Sequence, residues 1–175
     1  GGFVYSMPGD KLSVGFVAGL DYRDPLFDPY VAFQQFKQHP LVSELLKHGQ
    51  LIRYGAKAIP IGGWHAIPRG HMEGALIVGD AVGLVNSWRF KGLHLAMSSG
   101  ARAAETAFEA IRANDSSVGR LKKYTQMIKR GTIYKELYPA RNVHQSFTGG
   151  LFAGILYSAL ALITRGWWIR DPMPG

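Results

Sequence analysis

Residues 149–164 run for 16 positions without a charged side chain, and the stretch before them is strongly basic. This pairing constrains the fold more than any other feature of the sequence. A helix that crosses a bilayer needs roughly 20 apolar residues, so this run is too short to span. It suits a helix that dips into one leaflet, with Leu151, Phe152, Ile155, Leu156 and Leu160 inserting and Arg165, Trp167 and Trp168 at headgroup level. Its Gly and Ala content would also suit tight packing in a core. Upstream stand Arg120, Lys122, Lys123, Lys129, Arg130, Lys135 and Arg141 against a lone Glu136. The net charge of +8 permits nucleic acid, an anionic membrane or an acidic protein as partner. Basic residues that border an apolar helix, and not a stacking platform for bases, favour anionic lipid and no nucleic acid.

Composition narrows the chemistry further. The 47% apolar share is ordinary for a packed protein and excludes a disordered polar chain. The absence of cysteine excludes a disulfide scaffold, a cysteine-ligated zinc or iron–sulfur site and a cysteine nucleophile within these 175 residues. The chain opens on Gly1-Gly2-Phe3-Val4-Tyr5 with no initiator Met and no signal-peptide pattern, and reads as the interior of a longer product.

Along the chain, residues 2–7 and 12–19 are β-rich runs separated by Pro8-Gly9-Asp10-Lys11, a hairpin signal. Asp28 and Pro29 make an N-cap and first-turn pair that predicts a helix near 29–38, and a second short helix is expected over 41–47. Residues 51–59 alternate enough to predict a strand. Ala75-Leu76-Ile77-Val78 is wholly apolar and predicts a strand buried on both faces. Residues 92–113 carry the strongest helical pattern, and further helices are expected over 117–130 and 132–139. The elements add up to an α+β chain.

The sharpest chemical signal is the predicted strand ending at Gly79-Asp80, followed by Gly83, a loop through Asn86, and Gly92 at the start of the long helix. Glycines there let backbone approach a ligand, Asp80 can accept from sugar-like hydroxyls, and the helix N-terminus favours an electron-rich ring or phosphate. Asp80 could equally satisfy loop amides. His94, in the first helical turn, can point a donor at a cofactor or pack on the strand. His65, in a Gly-rich loop, is a candidate proton carrier or a loop hydrogen-bonder.

The run Gly74-Ala-Leu-Ile-Val-Gly-Asp-Ala-Val-Gly-Leu-Val-Asn86 with Lys91-Gly-Leu-His-Leu-Ala-Met-Ser-Ser-Gly100 resembles the second flavin motif of large FAD-dependent oxidoreductases. Together with Gly1-Gly2-Phe3, Tyr54-Gly-Ala-Lys-Ala58, Gly62-Gly63, Ile67-Pro68 and Glu136-Leu-Tyr-Pro-Ala-Arg-Asn-Val143, it makes the chain similar to the electron-transfer flavoprotein:ubiquinone oxidoreductase family. The resemblance implies part of a two-domain FAD-dependent fold. Residues 1–70 would belong to a quinone-binding domain, 71–115 to the C-terminal part of the FAD domain, and 116–175 to a helical region with the monotopic segment. It implies that Gly1 and Gly2 hold the quinone head, and that Gly79, Asp80, Gly83, Asn86, Gly92 and His94 lie on FAD. It implies electron transfer from reduced electron-transfer flavoprotein through FAD, and a 4Fe–4S cluster ligated outside these residues, to ubiquinone. The location implied is the matrix face of the mitochondrial inner membrane or the cytoplasmic face of a bacterial one. Alternatives are a FixC-like or geranylgeranyl-reductase-like flavoprotein without the cluster, and a non-catalytic basic module on the membrane.

Overall fold

Asp28 stands before Pro29 where a helix is expected to begin, and in the structure, a computed structural model that describes residues 1–166 and 171–172, it caps one. Its carboxylate accepts the Tyr30 N–H at 2.7 Å and starts α1 (Pro29–Gln38), which gives way at Pro40 to α2 (Pro40–Leu46). Before them, β1 (Gly2–Met7) and β2 (Lys11–Phe16) form the expected antiparallel hairpin, in register from Gly2 opposite Phe16 to Met7 opposite Lys11. Alternation sends side chains to two faces. On one, Phe16 meets Phe36 of α1 with ring centres 6.1 Å apart. On the other, Phe3 stacks on Tyr5 at 5.8 Å, and Phe3, Tyr5 and Met7 stay exposed. These elements form one of two compact units, Gly1–Ala56, in which Val42 is the one buried hydrophobic side chain among the described residues.

Residues 51–59 form no strand, contrary to expectation. A strand requires a partner for its N–H and C=O groups, and none pairs with this stretch; Leu51 and Ile52 remain 84% and 74% exposed.

The second unit, Lys57–Gly175, is mainly helical. Its only sheet among the described residues pairs β3 (His71–Met72) with β4 (Ala75–Leu76). The doubly buried strand expected over 75–78 is therefore only two residues long, with Ile77 and Val78 each 38% exposed. Its backbone pairs with β3 alone and α4 packs against it, the Tyr124 hydroxyl donating to the Ile77 carbonyl at 3.0 Å, which leaves the Ile77 and Val78 side chains partly uncovered. A 3-10 turn over Gly79–Val82 leads by a loop to α3 (Leu93–Arg112), followed by α4 (Val118–Arg130), α5 (Thr132–Leu137), α6 (Val143–Ser146) and α7 (Leu151–Ile163). Val82, Leu84, Leu95, Ala103, Tyr124, Ile128, Ile133 and Leu137 make the core, so the turn and the first half of α3 are anchored from below by α4 and α5. The mixture of helices with small sheets is α+β.

Helix α7 occupies most of the uncharged run. Gly154, Ser158 and Ala161 form its buried stripe, where small side chains admit the Phe147 ring against Gly154. Leu151, Phe152, Ile155, Leu156 and Ile163 are exposed and Leu160 is half-buried. Trp167 and Trp168 lie outside the described residues. Among the described residues no helix is long and apolar enough to cross a membrane. The basic stretch is not uniformly free: Lys123 pairs with Glu105 and Glu109, and Arg141 is buried on Asp171.

Candidate functional site

The site in the second unit is built where the chain turns from β4 into α3. Gly79 adopts φ +60°, a left-handed conformation that strains any residue with a Cβ. Its N–H donates to the buried Ser99 hydroxyl at 2.9 Å, tying the turn to the second turn of α3. A Cβ on Gly79 would also lie 3.0 Å from the Ala96 methyl. Gly83 closes the turn, with its N–H donating to the Asp80 carbonyl at 3.0 Å.

Asp80 Oδ1 is buried and has no hydrogen-bond partner among the described residues. It faces Gly92, where a Cβ would come within 2.8 Å of it. Gly92 is the N-cap of α3 and supplies no side-chain cap. Buried carboxylate oxygens are costly to leave unpaired, and a first helical turn carries free N–H groups. A buried acceptor and a set of uncapped donors therefore meet at one glycine-lined point. That arrangement fits a ligand offering both hydroxyls and an electron-rich or anionic group, as the ribityl chain and ring of FAD do.

Beside it, Asn86 organises the 86–91 loop. Its N–H donates to the Lys91 carbonyl at 2.9 Å, and its Oδ1 accepts the Trp88 and Arg89 N–H groups, each at 3.1 Å. Its Nδ2 donates to Glu136 Oε1 at 3.1 Å, while His94 Nε2 lies 2.8 Å from Glu136 Oε2. Asn86 and His94, singled out from the sequence, are thus joined through an α5 residue to which sequence reasoning gave no role. Burial, the strongest single influence on Glu136, pushes its carboxyl up. Hydrogen bonds from His94 and Asn86, with the charges of His94 and Arg89, outweigh it and hold the group below its ordinary value.

His65 is placed in a different cluster. Its Nε2 lies 3.1 Å from Asp171 Oδ1, which also accepts from Asn142 Nδ2 at 3.0 Å. Asp171 Oδ2 accepts from Arg141 Nη2 at 2.7 Å and Nε at 2.9 Å. The Arg141 hydrogen bonds lead the influences that hold the Asp171 carboxyl at about 2, against the opposing effect of burial. His65 here is a loop hydrogen-bonder.

In the first unit, the Gly1 carbonyl accepts the Val17 N–H at 2.7 Å and so continues the hairpin ladder. Antiparallel pairs alternate between hydrogen-bonded and non-hydrogen-bonded positions. With Gly1 and Val17 bonded, Gly2 and Phe16 are a non-bonded pair, and the Gly2 N–H and C=O point out of the free edge of β1. Gly2 lies against the Phe36 ring of α1: a Cβ would come 2.5 Å from its Cζ. Gly2→Ala is expected to push that ring aside, at about 1–3 kcal/mol of overpacking, seen as a lower Tm in thermal melts of the protein.

A family profile described as "ETF-QO, ubiquinone-binding" matches residues 1–59. The chain is 37% identical over 186 residues to a probable electron transfer flavoprotein-ubiquinone oxidoreductase, mitochondrial, of Saccharomyces cerevisiae, covering 95% of this chain and 30% of that protein. It is 40% identical over 167 residues to the Caenorhabditis elegans oxidoreductase of that name, covering 91% and 28%. Against the Sus scrofa protein it is 35% identical over 168 residues, covering 91% and 27%. The chain thus spans 25–31% of the length of the curated relatives it matches.

Proposed function

The chain belongs to the electron transfer flavoprotein-ubiquinone oxidoreductase family, and on that premise we propose that it supplies the quinone edge and one side of the flavin site of such an enzyme. The enzyme passes electrons from reduced electron-transfer flavoprotein through FAD to ubiquinone in the membrane. The observation that carries the flavin half is the unpartnered Asp80 Oδ1 at the uncapped, glycine-lined start of α3.

Gly79, Asp80, Gly83, Asn86, Gly92 and His94 would hold FAD, which when bound supplies electron storage between a donor and a quinone. Asp80 accepts a ligand hydroxyl. The 20-residue α3 presents its positive end, which favours added negative charge on a reduced ring and so raises its potential. The pyrophosphate half of the flavin site has no counterpart in these residues: no Gly-x-Gly-x-x-Gly opening a helix occurs in the sequence. The 4Fe–4S cluster finds no thiolate here, because the chain has no cysteine, and no step through it is assigned to these residues.

Gly2 meets the quinone head with backbone N–H and C=O at the open edge of β1, where no side chain intervenes. Residues 1–70 belong to the quinone-binding domain, 71–115 to the C-terminal part of the FAD domain, and 116–175 to a helical region whose segment at about 149–164 enters the membrane. Phe3, Tyr5 and Met7 on the hairpin and Leu151, Phe152, Ile155 and Leu156 on α7 supply apolar surface suited to one leaflet, and quinone is confined to the bilayer. Helix α7, with 13 residues at about 1.5 Å each, is too short to do more than enter it. The relatives are named as mitochondrial, and the location proposed is the matrix face of the mitochondrial inner membrane.

The holoenzyme containing this chain, loaded with FAD and supplied with reduced electron-transfer flavoprotein, is expected to reduce a short-chain ubiquinone. Normal flavin reduction with no quinone turnover in detergent or vesicles would contradict the proposal.

A further inference from the structure

Glu136 is the one acid in a basic stretch, and its two carboxylate oxygens are divided between two residues of the flavin-side edge. We propose that Glu136 is a positioning residue for that edge, holding Asn86 by one oxygen and His94 by the other. It thereby fixes both the 86–91 loop and the proton position on the His94 ring. The inference deepens the flavin reading above and rests on it.

An ionised carboxylate only accepts hydrogen bonds. The environment of Glu136 holds its carboxyl below the ordinary value, which keeps it ionised at neutral pH. Each group facing it must therefore donate. For Asn86 this sets the amide with Nδ2 toward Glu136 and Oδ1 toward the Trp88 and Arg89 N–H groups. The loop between the turn and α3 is consequently pinned from the outside by α5.

For His94 the proton must sit on Nε2, 2.8 Å from Glu136 Oε2. In the neutral ring, Nδ1 then carries a lone pair. No described residue is hydrogen-bonded to Nδ1, and the side chain is 53% exposed. Glu136 thus converts His94 into an acceptor of fixed polarity in the first turn of α3, close to the uncapped N–H groups. An acceptor there can take up on Nδ1 a proton that a reduced cofactor releases when it is oxidised. The charge that acts on Glu136 besides His94 is Arg89 of the loop; Asp80 Oδ1 faces Gly92, the N-cap of the same helix as His94. Such an arrangement differs from a plain surface ion pair, because its effect is the choice of tautomer more than the strength of attraction.

Glu136→Gln preserves the shape and reverses the chemistry, since a glutamine amide can donate to Nε2. In the full-length enzyme prepared without flavin, histidine nitrogen NMR is expected to show His94 protonated at Nε2 in the wild type. In E136Q the preference should move to Nδ1. The flavin midpoint potential, followed by spectroelectrochemistry from about pH 5 to 8, where histidine titrates, should change its pH dependence in E136Q. Should E136Q fail to fold, His94→Gln removes the imidazole and should flatten the same feature. An unchanged His94 tautomer in E136Q overturns the positioning role. A switched tautomer with an unaltered flavin potential overturns instead the placement of this edge beside the flavin.

Discussion

Gly79→Val in the holoenzyme is expected to reduce bound FAD below a tenth of the wild-type content, with the secondary structure retained. Three effects converge on this position. A left-handed backbone carrying a Cβ costs about 1–2 kcal/mol for an L-residue, and more when the side chain is β-branched. The new side chain also enters the contact with Ala96, where even a Cβ would lie 3.0 Å away, adding about 1–3 kcal/mol of overpacking. Relief of either strain moves the turn away from α3 and breaks the buried bond from the Gly79 N–H to Ser99. Asp80 Oδ1 then no longer meets Gly92, so the ligand loses both acceptor and donors. Gly79→Ala, with the same φ problem and a smaller intrusion, should fall between. Flavin absorbance per mole of purified protein, read beside circular dichroism, checks the series.

Arg141→Ala is expected to give the largest loss of stability. The guanidinium side chain is 6% exposed, is bound to Asp171 by two nitrogens, donates Nη1 to the Tyr138 carbonyl at 2.8 Å, and lies 4.0 Å over the Tyr138 ring. Removing one partner of a buried pair costs about 3–5 kcal/mol; Asp171 keeps 27% exposure, so the lower end applies. For a chain of this size about 3 kcal/mol corresponds to roughly 6–12 °C in Tm. The pH dependence carries a sign. Asp171 has its carboxyl depressed from 3.8 to about 2 in the folded chain. Its stabilisation is therefore present above the unfolded value and is lost as pH falls toward the folded one. The gap between wild type and Arg141→Ala should be full at pH 7 and close between pH 3.8 and about 2. Thermal melts across that range check it, and a gap independent of pH would contradict the role given to Asp171.

How much of this was legible in the sequence depended on the range of the interaction involved. The hairpin, α1 with its Asp28 cap, and α3 follow from local signals, because turn residues, a capping carboxylate and an Ala-rich periodic run each act over a few positions. The strand expected over 51–59 failed because alternation describes a face and does not provide a partner. The run 75–78 was read as buried on both sides from its apolarity, yet burial depends on what packs against it, and Ile77 and Val78 each remain 38% exposed.

The glycines and Asp80 of the candidate site were visible as a strand-to-helix turn. Glu136 was not, since its bonds to Asn86 and His94 span 50 and 42 positions. One signal did mark it: a lone acid among seven basic residues has a reason to be there. Ser99 carried no signal, being one small polar residue on a helix, and only the 0% exposure of its position beneath Gly79 gives it a role. His65 was read from its glycine-rich loop as a proton carrier or a loop hydrogen-bonder, and the structure shows its hydrogen bond to Asp171, 106 positions away.

The quinone edge is the part of the account most open to direct measurement. A photoreactive ubiquinone analogue, illuminated with the holoenzyme in vesicles of anionic and neutral lipid and mapped by peptide mass spectrometry, should label residues of β1 and its turn. The labelling should be displaced by unmodified ubiquinone and reduced in Gly2→Ala. Displaceable labelling confined to peptides outside residues 1–59, and indifferent to Gly2, would contradict the assignment of the quinone to this edge.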